Sequence, residues 1–155
     1  LILAKQFPDQ FRVVSMTRDP RGVLESFSKK GLQEESKGAL AASVYYLYSL
    51  LCMKIVAREI PVHAITYEQL MTRPDGVLAE LSEWTGLDLS EVRQKMAAAH
   101  AFPVEHVLTG NRLRHKGAVK VDCRGYKEPG ASTLKNRLVS GVTRRVAKAL
   151  RLIPS

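Results

Sequence analysis

Residues 11–26 read FRVVSMTRDPRGVLES. Phe11 to Thr17 is short, apolar and rich in β-branched residues, which predicts a buried strand. The strand ends at Arg18, and a helix starts at once: Asp19 is a good N-cap, and Pro20 falls where a first-turn proline is tolerated. That helix is expected to reach about Lys30, with Gly31 as its stop.

Working outward, residues 34–59 predict a long helix, with Leu40, Val44, Leu47, Leu51 and Ile55 spaced for one apolar face and Pro61 as its end. Val62 to Tyr67 (VHAITY) is a second buried-strand candidate. Thr72-Arg73-Pro74 opens a further helix with Val77, Leu78, Leu81 and Trp84 inward and Gly86 closing it. Asp88 and Glu91 have the spacing of a capping box for a helix reaching about His100. Residues 103–132, rich in Gly, Pro and basic residues, predict a long functional loop. Residues 133–152 predict a last, basic amphipathic helix, with Leu138, Val142, Val146 and Leu150 on one side and Arg137, Arg144, Lys148 and Arg151 on the other. Strand–helix–helix–strand–helix is the order of an α/β protein with a parallel sheet. Two strands are few for a domain sheet, and the chain opens on Leu1 inside an apolar stretch, so a fragment is expected.

The 155 residues suit a single domain over 1–155, and 45% hydrophobic with 25% charged residues excludes intrinsic disorder. Cys52 and Cys123 are too few for a disulfide scaffold or a cysteine-based zinc site, and the four histidines lack metal spacing. The longest uncharged run, Gly38 to Met53, is shorter than the ~20 residues of a membrane helix. Charge is unevenly placed. Residues 1–111 hold 12 basic and 13 acidic side chains, net −1, whereas residues 112–155 hold 12 basic and 2 acidic, net +10. A basic third on a neutral body points to an anionic partner, with nucleic acid, a phosphorylated small molecule, an acidic glycan and a membrane surface all open.

Ligands of parallel sheets bind at the carboxyl ends of the strands, where a following helix points its free N–H groups outward. Arg18 is expected there, with a planar cationic fork suited to phosphate. Ser26 follows one turn beyond Gly22, whose missing side chain would admit a ligand closely. On spacing alone, a capped helix with a surface arginine and a solvated serine is the favoured reading of the same residues. Tyr45, Tyr46 and Tyr48 read as helix packing rather than as a base-stacking platform.

FPDQFRVVSMTRDPRGVLES (Phe7 to Ser26) resembles the 3′-phosphate-binding segment of sulfotransferases that use 3′-phosphoadenosine 5′-phosphosulfate (PAPS). The resemblance implies that Arg18 and Ser26 hold the 3′-phosphate. Tyr67-Glu68-Gln69-Leu70, then Arg73-Pro74 and the stretch ending Trp84-Thr85-Gly86-Leu87, is similar to the family's Y-E-D-L segment, and puts Tyr67 against adenine. His106 to Gly117, continuing to Asp122 and Tyr126-Lys127, is similar to the stretch that closes over the nucleotide, and implies contacts from Arg114, Lys116 and Gly117. Here His115 replaces a common arginine and Tyr126 a usual tryptophan.

The implied fold is part of a P-loop-NTPase-like three-layer α/β domain without its first strand and phosphate loop. The implied activity is sulfuryl transfer from PAPS to a hydroxyl or amine acceptor, carbohydrates among the candidates, with no metal. The residues matched carry the 3′-phosphate and adenine half of the donor site and no identifiable catalytic base, so this chain alone is expected to be inactive. The competing expectation is a non-catalytic basic module binding nucleic acid or other polyanions, with affinity that falls steeply with salt. Arg18→Ala weakening nucleotide binding far more than Arg144→Ala would separate the two. A cytoplasmic and a Golgi-lumen enzyme would look alike over these residues.

Overall fold

The computed structural model of the chain describes residues 2–28, 38–103, 117–130 and 134–153. In order come α1 (Ile2–Gln6), a 3-10 turn (Pro8–Gln10), β1 (Val13–Thr17), α2 (Pro20–Ser28) and α3 (Ala39–Glu59). There follow β2 (Val62–Thr66), α4 (Tyr67–Thr72), α5 (Pro74–Thr85), α6 (Ser90–Ala97), β3 (Ala101–Pro103), β4 (Ala118–Lys120) and α7 (Leu134–Ala149). The chain is mixed α/β, with one parallel and one antiparallel pair of strands among the described residues.

β1 and β2 pair in parallel, from Val13 opposite Val62 to Thr17 opposite Thr66. Parallel neighbours need a crossover, and α2 and α3 provide it. The register matters for function: because both strands end together, Arg18 and Tyr67, the next residue on each, stand at the same carboxyl edge.

β1 is not buried on both faces as the apolar run suggested. Val13, Ser15 and Thr17 are half-buried, while Val14 and Met16 are 38% and 52% exposed, because among the described residues no layer covers that face. A continuous apolar run predicts burial but cannot say which chain segment supplies the cover.

α2 packs on α3 and α7, and α3 packs on α7. The faces used differ from those the periodicity predicts. α3 buries Ala42, Ser43, Tyr46 and Leu50, and leaves Leu40, Val44, Leu51 and Ile55 exposed; of the predicted stripe only Leu47 joins the core. α7 buries Ser140, Thr143 and Ala147, and leaves Leu138, Val142, Val146 and Leu150 outside. On α7 the buried face is made of small side chains, whereas α3 contributes Tyr46 and Leu50 as well as Ala42 and Ser43. The buried hydroxyls are satisfied inside their own helix, Ser140 Oγ donating to the Arg137 carbonyl (3.1 Å) and Thr143 Oγ1 to that of Val139 (2.7 Å). α3 is apolar nearly all round, so its spacing could not select a face.

α3 is longer than the uncharged run within it. That run stops at Lys54, but the helix continues through Ile55-Val56-Ala57, and at 21 residues it is long and apolar enough to cross a membrane by length and composition. Lys54 does not interrupt its packing, because its ammonium donates to the Leu150 carbonyl at the end of α7 (2.8 Å).

Tyr46, Leu50 and Ala147 form the centre of the helical core, with Val23, Leu47, Leu152 and Ile153 packed on it. The last two reach it because α7 ends in a reversal: Leu152 N–H donates to Ala147 O and Arg151 N–H to Lys148 O, both at 2.8 Å, with Arg151 at φ 52°. A similar reversal through Ala99 (φ 50°) ends α6 at Ala97 rather than at His100. The expected capping box there does not form. Asp88 accepts from Ser90 N–H (2.9 Å), while Glu91 pairs with Lys95. A true capping box lies elsewhere, where Thr66 and Gln69 exchange hydrogen bonds and start α4, a helix absent from the sequence reading. Gly86, at φ 73°, closes α5 as expected. The predicted loop 103–132 contains β4, which pairs antiparallel with β3; residues 104–116 and 131–133 lie outside the described residues.

Candidate functional site

The site forms where β1 and β2 end. Arg18 leaves the tip of β1 and lays its guanidinium over the ring of Tyr67, the first residue after β2, with Cζ 4.5 Å from the ring centroid. Such a contact is worth about 0.5–1 kcal/mol when partly exposed. Tyr126 closes the other side, its ring edge-on to Tyr67 at 6.0 Å. The resemblance selected Arg18, Tyr67 and the segment of Tyr126 from three separate stretches, and the fold brings the three side chains into one stack.

Gly22 serves this stack differently from the expectation. A side chain there would place its Cβ 2.7 Å from Arg18 Nε and 3.2 Å from Pro129 Cγ. The missing Cβ therefore makes room for the arginine, not directly for a ligand. Arg18 Nε is buried and has no hydrogen-bond partner, as is the Tyr126 hydroxyl. Nε is closed in by Gly22 and Pro129, so the two terminal nitrogens of the guanidinium are the ones left to meet an anion.

The start of α2 is, by contrast, already occupied. Arg21 N–H donates to Asp19 Oδ1 (2.8 Å), Asp19 N–H donates to Glu68 Oε1 (3.0 Å), and Pro20 has no N–H. The Asp19 cap expected from the sequence thus forms, and Glu68 adds a second carboxylate that takes the Asp19 N–H. Arg21 forms a two-pronged pair with Asp19 through Nε (2.9 Å) and Nη2 (3.1 Å), and its pKa is raised chiefly by that hydrogen bond. Burial pushes the Asp19 carboxyl up, but the Arg21 side chain, the Arg21 N–H and the charges of Arg21 and Arg144 outweigh it and hold the group below its usual value. Of the two arginines flanking Asp19-Pro20, Arg21 is committed and Arg18 is not.

Arg18 is fixed from behind as well. The Tyr46 hydroxyl donates to the Arg18 carbonyl (2.9 Å), which ties the strand end to α3. Burial, then the charges of Asp19 and Glu68, push the Tyr46 pKa up to about 12, so the hydroxyl stays a donor at any physiological pH. Tyr46 is therefore a positioning residue as well as a core one. Its neighbours Tyr45 and Tyr48 are exposed.

Beside the stack lies a cavity of about 390 Å³, bordered by Thr17 and Thr66 at the strand ends, by Arg18, by Glu68, and by Arg144 and Lys148 from α7. Arg144 and Lys148, expected on a solvated face, are exposed and also border this cavity. Arg144 is thus no neutral comparator for Arg18. Ser26 lies on α2, exposed, and is not among the cavity's residues. Gly117 is exposed just before β4, whereas Arg114 and Lys116 fall outside the described residues. Among the described residues no group of three or more His, Cys, Asp or Glu side chains is arranged to hold a metal ion. Sequence reading missed Tyr46, Glu68 and the α7 cations, whose place depends on how α3, α4 and α7 pack.

Comparison with protein-family models, with curated proteins and with solved structures finds no match to this chain.

Proposed function

We propose that this chain carries the nucleotide-holding half of a PAPS-dependent sulfotransferase, an enzyme that moves a sulfuryl group to a hydroxyl or amine acceptor, carbohydrates among the candidates. The observation that carries the reading is the meeting of Arg18 and Tyr67 at the carboxyl edge of a parallel strand pair, 4.5 Å apart, with Arg18 otherwise uncommitted. Brändén's rule places ligands at this edge, and the resemblance assigns phosphate and adenine to these two residues independently. The edge-on contact of Tyr126 with Tyr67 supports a covering role for the segment around it. On this reading the two-stranded sheet and its helices are part of a P-loop-NTPase-like three-layer domain.

In the reaction, the acceptor oxygen or nitrogen attacks sulfur, the bond from sulfur to the bridging phosphate oxygen breaks, and adenosine 3′,5′-bisphosphate leaves. The residues described here bind and orient that leaving nucleotide. Arg18 supplies the charge for the 3′-phosphate, Tyr67 and Tyr126 border the base, and Tyr46 holds the Arg18 backbone in place. The resemblance also gives contacts to Ser26, Arg114, Lys116 and Gly117, of which Ser26 and Gly117 lie off the cavity and Arg114 and Lys116 outside the described residues. No residue of this chain is assigned the acceptor's proton, and the loop cradling the phosphosulfate matches nothing in it.

Calorimetric titration of the full-length protein tests the reading. Adenosine 3′,5′-bisphosphate should bind at least about tenfold more tightly than adenosine 5′-monophosphate, since a phosphate–arginine contact contributes about 1.5–3 kcal/mol. Equal affinities, together with binding of a 20-nucleotide single strand that collapses as salt rises, would replace the enzyme reading with a polyanion-binding module.

A further inference from the structure

We propose that Arg144 and Lys148 of α7 form a second cationic arm of the same site, so that the cavity takes a ligand carrying two separate anionic groups, one on Arg18 and one on this pair. The inference deepens the nucleotide reading by adding binding residues that neither the sequence motifs nor the resemblance supplies.

The packing of α7 dictates the placement. Its buried face is Ser140, Thr143 and Ala147, and Arg144 and Lys148 are the residues that directly follow the last two. Four apart, they share one side of the helix. Both border the 390 Å³ cavity together with Arg18. A cavity of this size is in the range that holds a small-molecule ligand.

Their freedom is the second observation. Among the described residues, Arg144 and Lys148 make no hydrogen bond or ion pair, whereas the nearest carboxylates are engaged. Asp19 is paired with Arg21, Glu68 accepts from Asp19 N–H, and Glu128 lies 3.9 Å from Arg21. Arg144 is near enough to Asp19 and Tyr46 for its charge to be felt by both. Among the described residues, three cations therefore border one cavity with no hydrogen bond or ion pair of their own: Arg18 from the sheet edge, and Arg144 and Lys148 from the last helix. Surface lysines and arginines spread evenly would scatter around α7. All five basic residues of α7 are exposed, yet only Arg144 and Lys148 border the cavity, and Lys135, Arg137 and Arg145 do not.

The test compares adenosine 3′,5′-bisphosphate, adenosine 3′-monophosphate and adenosine 5′-monophosphate on the full-length protein at one fixed salt concentration. The double variant R144Q/K148Q should lose at least tenfold in bisphosphate affinity and fall to the level of the 3′-monophosphate, whose own affinity changes less than threefold. The control K135Q/R145Q removes the same charge from the same helix and should leave all three affinities within threefold. R144K/K148R, which keeps both charges, should retain bisphosphate binding, and so separates loss of the arm from loss of fold. Unchanged bisphosphate affinity in R144Q/K148Q, or an equal loss in K135Q/R145Q, would overturn the proposal, and so would absence of binding by the unaltered protein. If the unaltered protein binds the bisphosphate and the 5′-monophosphate equally, the sulfotransferase reading fails alone. The α7 arm then still stands if R144Q/K148Q weakens 5′-monophosphate binding tenfold.

Discussion

Arg18→Ala should lower the affinity for adenosine 3′,5′-bisphosphate about 100-fold while changing that for adenosine 5′-monophosphate less than threefold. The size follows from the site's electrostatics. Two charge-assisted hydrogen bonds from one guanidinium to a phosphate dianion contribute about 3 kcal/mol, and each 1.4 kcal/mol is a factor of ten. The selectivity follows from the role, because only the 3′-phosphate is assigned to this side chain. The fold itself should hardly notice. Arg18 is half-exposed, its side chain makes no hydrogen bond within the described residues, and its contact with Tyr67 is worth about 0.5–1 kcal/mol. Arg145→Ala is the proper comparator, since Arg145 is exposed and Arg144 borders the cavity. A loss shared equally by Arg18→Ala and Arg145→Ala, measured by titration, would show that net charge and not the strand-end site binds the nucleotide.

The second large effect is on stability. Leu24 of α2 is 1% exposed and sits where the crossover helix turns toward the core. Leu24→Ala should cost about 3 kcal/mol, the transfer free energy of the lost side chain plus the cavity it leaves. For a domain of this length, that lowers the melting temperature by roughly 6–12 °C. Leu51→Ala, by contrast, should stay within about 0.5 kcal/mol, because Leu51 on α3 is 47% exposed. Both are leucines on helices, and periodicity alone would rank Leu51 as the more central. Thermal melts of the two variants separate the readings. A Leu51→Ala loss as large as that of Leu24→Ala would mean that the outer face of α3 is covered in solution.

This contrast marks how far the sequence could be read. Local signals were legible: the strand ending at Arg18, the Asp19 cap, the proline at the first position of α2, and the Gly86 stop all depend on neighbouring residues. The parallel pairing followed from the element order, and with it the meeting of Arg18 and Tyr67. What was not legible is the choice of helix face. Leu40, Val44 and Leu51 have the spacing of a core stripe, but the face that α3 buries carries Ala42, Ser43, Tyr46 and Leu50, because a helix apolar nearly all round offers several faces to α2 and α7. The same substitution of faces on α7 carries Arg144 and Lys148 to the cavity, so the error about packing was also an error about function. The role of Gly22 is a third case. Its missing side chain was correctly expected to leave space, yet what fills the space is the Arg18 guanidinium, which only the three-dimensional path of β1 could show.

Photolabelling tests directly whether this corner of the molecule holds a nucleotide. The full-length protein is irradiated with 8-azidoadenosine 3′,5′-bisphosphate, and the labelled peptides are mapped by mass spectrometry. Label is expected on the peptides containing Tyr67 or Tyr126, abolished by excess adenosine 3′,5′-bisphosphate and strongly reduced in the Arg18→Ala variant. Label spread over the exposed lysines of α7, insensitive both to competitor and to the loss of Arg18, would contradict it.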